Sequence, residues 1–334
     1  MKQLEIGANE AGQRLDKYLK KLLKHADHSF IYKMLRKKNI VLNGKKAEGA
    51  VHLTAGDRVT LYLSDDTFEK FSRDPAGEPL ITQTAQTASG INVLYEDADI
   101  LILNKPAGML SQKAAASDVS ANEWVIRYLA EKGVVTTQSL QTFRPAVCNR
   151  LDRNTSGILI AGKTLHGLQS MSRQFRERTV KKYYRCVTAG ILTSGAHLKG
   201  YLYKDHKKNK VSICQEERIG QEAGQYIETE YWPVGYTKEC TMLEVHLITG
   251  RSHQIRAHLA SVGHPVIGDP KYGSPKWNGR YRAKTGCSWQ LLHAFRIVLE
   301  NGQEVVAPLP DYFSEASFVL APQPAHNYDP AGSR

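Results

Sequence analysis

Cysteine is scarce and scattered. The five residues, Cys148, Cys186, Cys214, Cys240 and Cys287, form no C-x-x-C pair. This excludes a zinc ribbon and a disulfide framework and fits a reducing compartment. No run approaches about 18 apolar residues, and the opening MKQLEIGANEAG holds no apolar stretch of signal-peptide length. A cytoplasmic protein without a membrane partner is therefore expected. His253 and His258 stand five apart with no H-E-x-x-H spacing, so no metal site is expected. A glycine-rich phosphate loop and a second acidic cluster are also missing, which removes the footing for a phosphotransferase or a metal-dependent nuclease. Negative charge is short as well, with 33 Asp+Glu against 45 Lys+Arg, a net charge of +12. A polyanion is the first partner to consider. The first 63 residues hold 13 Lys+Arg against 6 Asp+Glu, so more than half the excess lies in less than a fifth of the chain.

At 334 residues the chain has room for two domains. Leu15, Tyr18, Leu19, Leu22 and Leu23 recur at helical spacing, with four lysines on the remaining faces. Ser29 reads as the N-cap of a second helix, Phe30 to Lys37. Ile40 to Leu42, the tight-turn pair Asn43-Gly44 and an alternating strand from Arg58 to Leu63 complete a small α/β unit over residues 1–63. Its cations gather at two loop ends, Lys33, Arg36 and Lys37 at the second helix and Lys45 and Lys46 at the turn. There they suit phosphate contacts; a solvated lysine-rich face is the alternative.

Residues 64–90 are acidic, then rich in Thr, Gln, Ala and Ser, and read as a flexible linker. Residues 321–334 read as a disordered tail. Between them, 91–320 carries many short strands and few helices, an α+β domain on a mostly antiparallel mixed sheet. Hairpins are expected at Val93 to Leu103 and across Asn301-Gly302. The segments 201–209 and Ser274 to Gln290 read as exposed basic loops.

The chemistry-bearing stretch is CNRLDRNTSGILIAGK, Cys148 to Lys163. Asp152 sits between Arg150 and Arg153 before a turn and a short apolar run fit for a buried strand. A lone carboxylate beside fixed cations stays ionised at neutral pH, available as nucleophile or base. An Asx-turn acceptor with a surface ion pair is the other local reading. In the run VKKYYRCV, a strand sends Tyr183 and Tyr184 to opposite faces, so only one can stand in a cleft.

R-L-D-x-x-T-S-G followed by an apolar run resembles the signature of the RluA-type pseudouridine synthases. Asn104 to Gly108 (N-K-P-x-G) and Gly250 to Arg256 (G-R-x-H-Q-I-R) resemble the same family in the same order. The resemblance implies isomerisation of uridine to pseudouridine in RNA without a cofactor, with Asp152 as the catalytic aspartate and Arg256 set against it. K-x-Y before V-x-x-G aligns on Tyr184, implying that it stacks on the target base. Lys105 would lie near the cleft and contact RNA, and Arg251 and His253 would hold the turn or meet phosphate. Asn149 stands where the family usually has histidine. The target uridine must leave its stack, and Arg150 is the candidate for filling the vacated space or holding the displaced strand.

In the small unit, R-L-D-x-Y-L from Arg14 and I-x-x-N-G from Ile40 resemble the RNA-binding module first seen in a small-subunit ribosomal protein. That turns the expectation toward structured ribosomal RNA, foremost of the large subunit, bound by a monomer. A tRNA target and a non-catalytic ribosome-assembly factor are the alternatives.

Overall fold

The helical spacing that begins at Leu15 folds as expected. In the computed structural model, which describes residues 1–72, 90–115, 117–137, 139–205, 207, 209–217, 223–314 and 319–320, α1 spans Leu15–Leu22 and buries Leu15, Tyr18, Leu19 and Leu22. A strand with no apolar alternation, β1 (Lys2–Glu5), precedes it. After it come α2 (His28–Arg36), β2 (Ile40–Leu42) and β3 (Arg58–Leu61), and the strands form an antiparallel sheet in the order β1-β3-β2. The cap of α2 is Asp27, not Ser29. Its carboxylate accepts from the Phe30 N–H at 2.6 Å, and a full negative charge suits the positive helix end better than a hydroxyl. Asn43 and Gly44 take φ of 50° and 72°, as a two-residue hairpin turn requires. Lys33, Arg36, Lys37, Lys45 and Lys46 are all exposed.

The expected linker does not begin at 64. A helix, α3 (Asp65–Ser72), lays Phe68 and Phe71 against the small core. Two aromatics three apart supply a helical face that the acidic composition hid. Residues 73–89 of that segment, and the tail at 321–334, lie outside the described residues.

A second core surrounds a long mixed sheet. Its elements are β4 (Asn92–Glu96), β5 (Ile100–Lys105), α4 (Ala121–Glu131), α5 (Ser139–Thr142), β6 (Ala146–Val147), β7 (Ser156–Gly162), α6 (Leu165–Glu177) and β8 (Lys181–Ala189). Then follow β9 (Ala196–Asp205), β10 (Lys210–Cys214), β11 (Gln225–Tyr236), β12 (Cys240–Leu247), α7 (Gln254–Ser261), α8 (Pro275–Thr285), β13 (Leu292–Val298), β14 (Glu304–Val306), α9 (Asp311–Ser314) and β15 (Val319–Leu320). The strand order is β10-β9-β11-β12-β8-β13-β7-β5-β4, antiparallel at every step except β13 beside β7. β7 is buried along its whole length, as the apolar run after Asp152 demands. The architecture is the α+β class expected.

Both expected basic loops need correction. Tyr201 to Asp205 belongs to β9. Most of Ser274 to Gln290 is α8, with Pro275 in its first turn and Gly286 in the left-handed conformation just past its end. Those boundary signals stand in the sequence, but only Trp277 and Tyr281, four apart, pack inward, near Phe313, too little periodicity to announce a helix. Among the described residues no helix is long and apolar enough to cross a membrane.

Candidate active site

Asp152 lies in the connection from β6 to β7, and its neighbours are pinned at alternate positions. Asn149 pairs with β7, its Oδ1 accepting from the Ile160 N–H at 2.8 Å and its amide donating to the Ile158 carbonyl at 3.4 Å. The Ser111 hydroxyl accepts from the Leu151 N–H at 3.0 Å and donates to the Leu151 carbonyl at 2.9 Å. The Arg153 carbonyl accepts from the Gly108 N–H at 2.9 Å and the Lys105 ammonium at 3.2 Å. Thr155 closes the turn, its N–H donating to the Asp152 carbonyl at 3.1 Å, while Gln290 donates to its hydroxyl at 2.6 Å. Gly157 then needs φ of 109°, and a Cβ there would stand 2.2 Å from the Ala294 carbonyl oxygen. Only glycine lets β13 lie against β7 at this point.

With the loop fixed, the Asp152 carboxylate projects into a cavity of about 940 Å³ that Arg150, Tyr184, Arg251, His253 and Arg256 also line. Arg256 Nη1 donates to Asp152 Oδ2 at 2.6 Å. The rest of that guanidinium is engaged by Asp269, which accepts from Nε at 2.7 Å and Nη2 at 2.8 Å in a bidentate pair. Asp269 is itself held by the N–H groups of Lys271 and Tyr272 and is fully buried. Burial pulls the Arg256 pKa down, but its bond to Asp269 and the charges of both carboxylates outweigh this and hold it above the usual value. Burial likewise acts against the Asp269 carboxylate, and Arg256 reverses the balance and lowers its pKa. The guanidinium is thus a fixed cation aimed by one carboxylate at another.

His253, at φ of 57°, begins α7. Its Nδ1 is 3.0 Å from the Tyr272 hydroxyl and its Nε2 is 4.0 Å from Asp152 Oδ1. Burial lowers its pKa, with Asp152 pulling the other way. Tyr184 is buried on the cavity side of β8, and its phenol pKa is raised by burial first and by Asp152 second. Tyr183 faces the other side of the sheet, stacked on His246.

Lys105 is a correction. It is 0% exposed, and its ammonium donates to the carbonyls of Pro106, Met109 and Arg153, so it cannot reach RNA. Burial lowers its pKa to about 7, opposed by Asp152. Three carbonyl acceptors match the three protons of an ammonium, so we assign the charged form, which braces the loop from beneath. Arg150 and Arg251 are exposed at the cavity. Lys33, Arg36, Lys37, Lys45 and Lys46 do not line it and belong to the small unit. Sequence reasoning passed over Asp269 and Ser111, and it used Lys182 only as the lysine of the K-x-Y alignment, without giving it a role.

An aspartate and an arginine brought together from distant segments, beside a buried tyrosine and among cations, define a site for chemistry on a polyanion. Residues 99–261 match the family model described as RNA pseudouridylate synthase. The chain is 31% identical over 325 residues to the ribosomal large subunit pseudouridine synthase C of Vibrio cholerae, covering 94% of this chain and 95% of that protein. It is 32% identical over 316 residues to the protein of the same name from Buchnera aphidicola, covering 92% and 94%. The solved structure titled Human RNA Pseudouridylate Synthase Domain Containing 4 shares the fold at TM-score 0.54 and 21% identity, over 67% of this chain and 90% of that one. The chain belongs to the RNA pseudouridylate synthase family, whose members isomerise uridine in RNA to pseudouridine.

Proposed function

We propose that this chain converts uridine to pseudouridine in ribosomal RNA, foremost of the large subunit, and does so as a monomer with Asp152, Arg256 and Tyr184 as its working set. The uracil is detached from C1′ of the ribose, turned, and rejoined through carbon five. Asp152 acts on the ribose, as nucleophile at C1′ or as base at the neighbouring carbon. Arg256 holds the carboxylate in one orientation, so the reacting oxygen need not be organised at each turnover. Tyr184 packs on the uracil and keeps the freed base in place. Its hydroxyl has no hydrogen-bond partner among the described residues and is free to relay the proton that leaves carbon five. Arg150 fills the space that the flipped uridine vacates.

The observation that carries this proposal is the 2.6 Å contact between Arg256 and Asp152 in the cavity that Tyr184 lines. The ribosomal target is favoured by the relatives' names and by the exposed cations of the small unit. Asp152→Asn is expected to abolish tritium release from carbon-five-labelled uridine RNA while RNA binding stays near wild type. Turnover retained by this variant would refute the role of Asp152. Mapping pseudouridine in ribosomal and transfer RNA with and without the gene tests the substrate: a lost site in tRNA alone would overturn the ribosomal assignment.

A further inference from the structure

The cavity is lopsided in charge. Among the residues that line it, nine are lysine or arginine, and Asp152 is the sole Asp or Glu. Arg256 is spoken for by two carboxylates. Lys182 is different. It stands on β8 two residues before Tyr184, so both side chains leave the strand on the cavity side. Among the described residues its ammonium has no hydrogen-bond or ion-pair partner. The same cavity is lined by a second cation, Arg178, which acts electrostatically on Lys182 and closes α6 in the left-handed conformation at φ of 60°. Burial and Arg178 lower the Lys182 pKa to about 8. Opposite, Gly250 offers no side chain, and a Cβ there would lie 3.4 Å from the Lys182 Nζ. Fold stability gives no reason to keep two interacting cations in one cavity without a carboxylate to pair with Lys182.

We infer that Lys182 and Arg178 form a phosphate-binding site that grips the RNA backbone beside the target uridine. Residues two apart on a strand are spaced by about 7 Å. A base packed on Tyr184 therefore leaves its sugar and adjoining phosphate within reach of Lys182, with the open floor at Gly250 admitting the phosphate oxygens. Binding fixes the nucleotide's position along the cleft, so the site serves affinity and register and leaves the chemistry to Asp152. This rests on the RNA-modifying reading above.

The test compares wild type with Lys182→Met and Lys182→Arg, measuring RNA binding against salt together with turnover. Lys182→Met is expected to raise KM about tenfold at low salt, keep kcat within about threefold, and flatten the slope of log affinity against log salt by about one. Lys182→Arg restores the slope. An unchanged slope with a fallen kcat would overturn the site and place Lys182 in the packing around Tyr184. Where Lys182→Met fails to fold, Arg178→Gln, at an exposed residue, carries the same comparison: a flattened slope supports the pair and an unchanged one overturns it. A wild-type protein that makes no pseudouridine in any RNA would sink the parent proposal; an active wild type with no slope change sinks only this site.

Discussion

The two faces of β8 are built from adjacent residues of similar kind and have opposite character. On the outer face Tyr183 stacks on His246 at 4.8 Å between ring centres, lies under the Arg296 guanidinium at 3.8 Å, and meets Trp232 edge-on at 6.3 Å. Arg185 and Arg296 share Glu244, at 2.5 and 3.0 Å. On the cavity face Lys182 has no anion and Tyr184 no hydrogen bond among the described residues. Tyr183 and Tyr184 are 7% and 8% exposed, so burial does not separate them. What separates them is the pairing of charge. On the outer face both guanidiniums meet the Glu244 carboxylate, although the buried Arg185 Nε lacks a hydrogen-bond partner, while Lys182 on the cavity face meets no carboxylate among the described residues.

The sharpest way to test that contrast is to remove a carboxylate from each face. Asp269→Ala strips the bidentate partner from Arg256 and frees the guanidinium to swing from Asp152. Turnover is expected to fall at least ~100-fold, since small misplacements at a reacting centre cost that much. Stability should drop by about 3–5 kcal/mol, the usual cost of breaking a buried pair. Glu244→Ala removes the shared partner of Arg185 and Arg296 and should cost about 3 kcal/mol in urea unfolding, with turnover within twofold. If the outer-face change slowed turnover as much as the Asp269 change did, the two faces would not be separate in function.

The tyrosine pair sharpens the same contrast at lower amplitude. Tyr184→Phe removes a hydroxyl without a partner among the described residues, so unfolding should move by no more than about 0.5 kcal/mol. Single-turnover tritium release should slow by about 100-fold if the hydroxyl relays a proton. Tyr183→Phe should leave release unchanged. Equal behaviour of the two variants would remove the proton relay from Tyr184.

How much of this was legible in the sequence follows from the range of each signal. The helix from Leu15 and the turn at Asn43-Gly44 are local patterns, and they appear where the periodicity placed them. Asp152 and Arg256 meet because two segments carry recognisable motifs, not because any spacing shows that residues 104 apart touch. The partner of Arg256, Asp269, carries no such mark: it is an ordinary acidic residue before a proline until α7 folds beside it. Lys105 misled in the opposite way. A lysine at a strand end reads as solvated, and only three inward-facing carbonyls, one of them 48 residues away, reveal a buried brace. Strand period two says that Tyr183 and Tyr184 part, but which enters the cavity depends on where the long sheet is covered, a tertiary fact.

The smallest expected effect concerns Asn149, the departure from the family's usual histidine. Its amide oxygen and nitrogen reproduce, at 2.8 and 3.4 Å, one acceptor and one donor of a strand pairing with β7. Asn149→Ala deletes both and leaves the Ile160 N–H to find water, costing about 1 kcal/mol. Asn149→His should cost less, because an imidazole also offers one acceptor and one donor and can satisfy the same two backbone groups. Turnover of the histidine variant should stay within twofold, since Ser111, Lys105 and Gly108 still pin the loop at Leu151 and Arg153. Urea midpoints and tritium release on both variants check this. A tenfold loss in Asn149→His with unchanged stability would mean that position 149 influences the Asp152 carboxylate directly, and that the cavity side of the loop is less self-sufficient than its hydrogen bonds indicate.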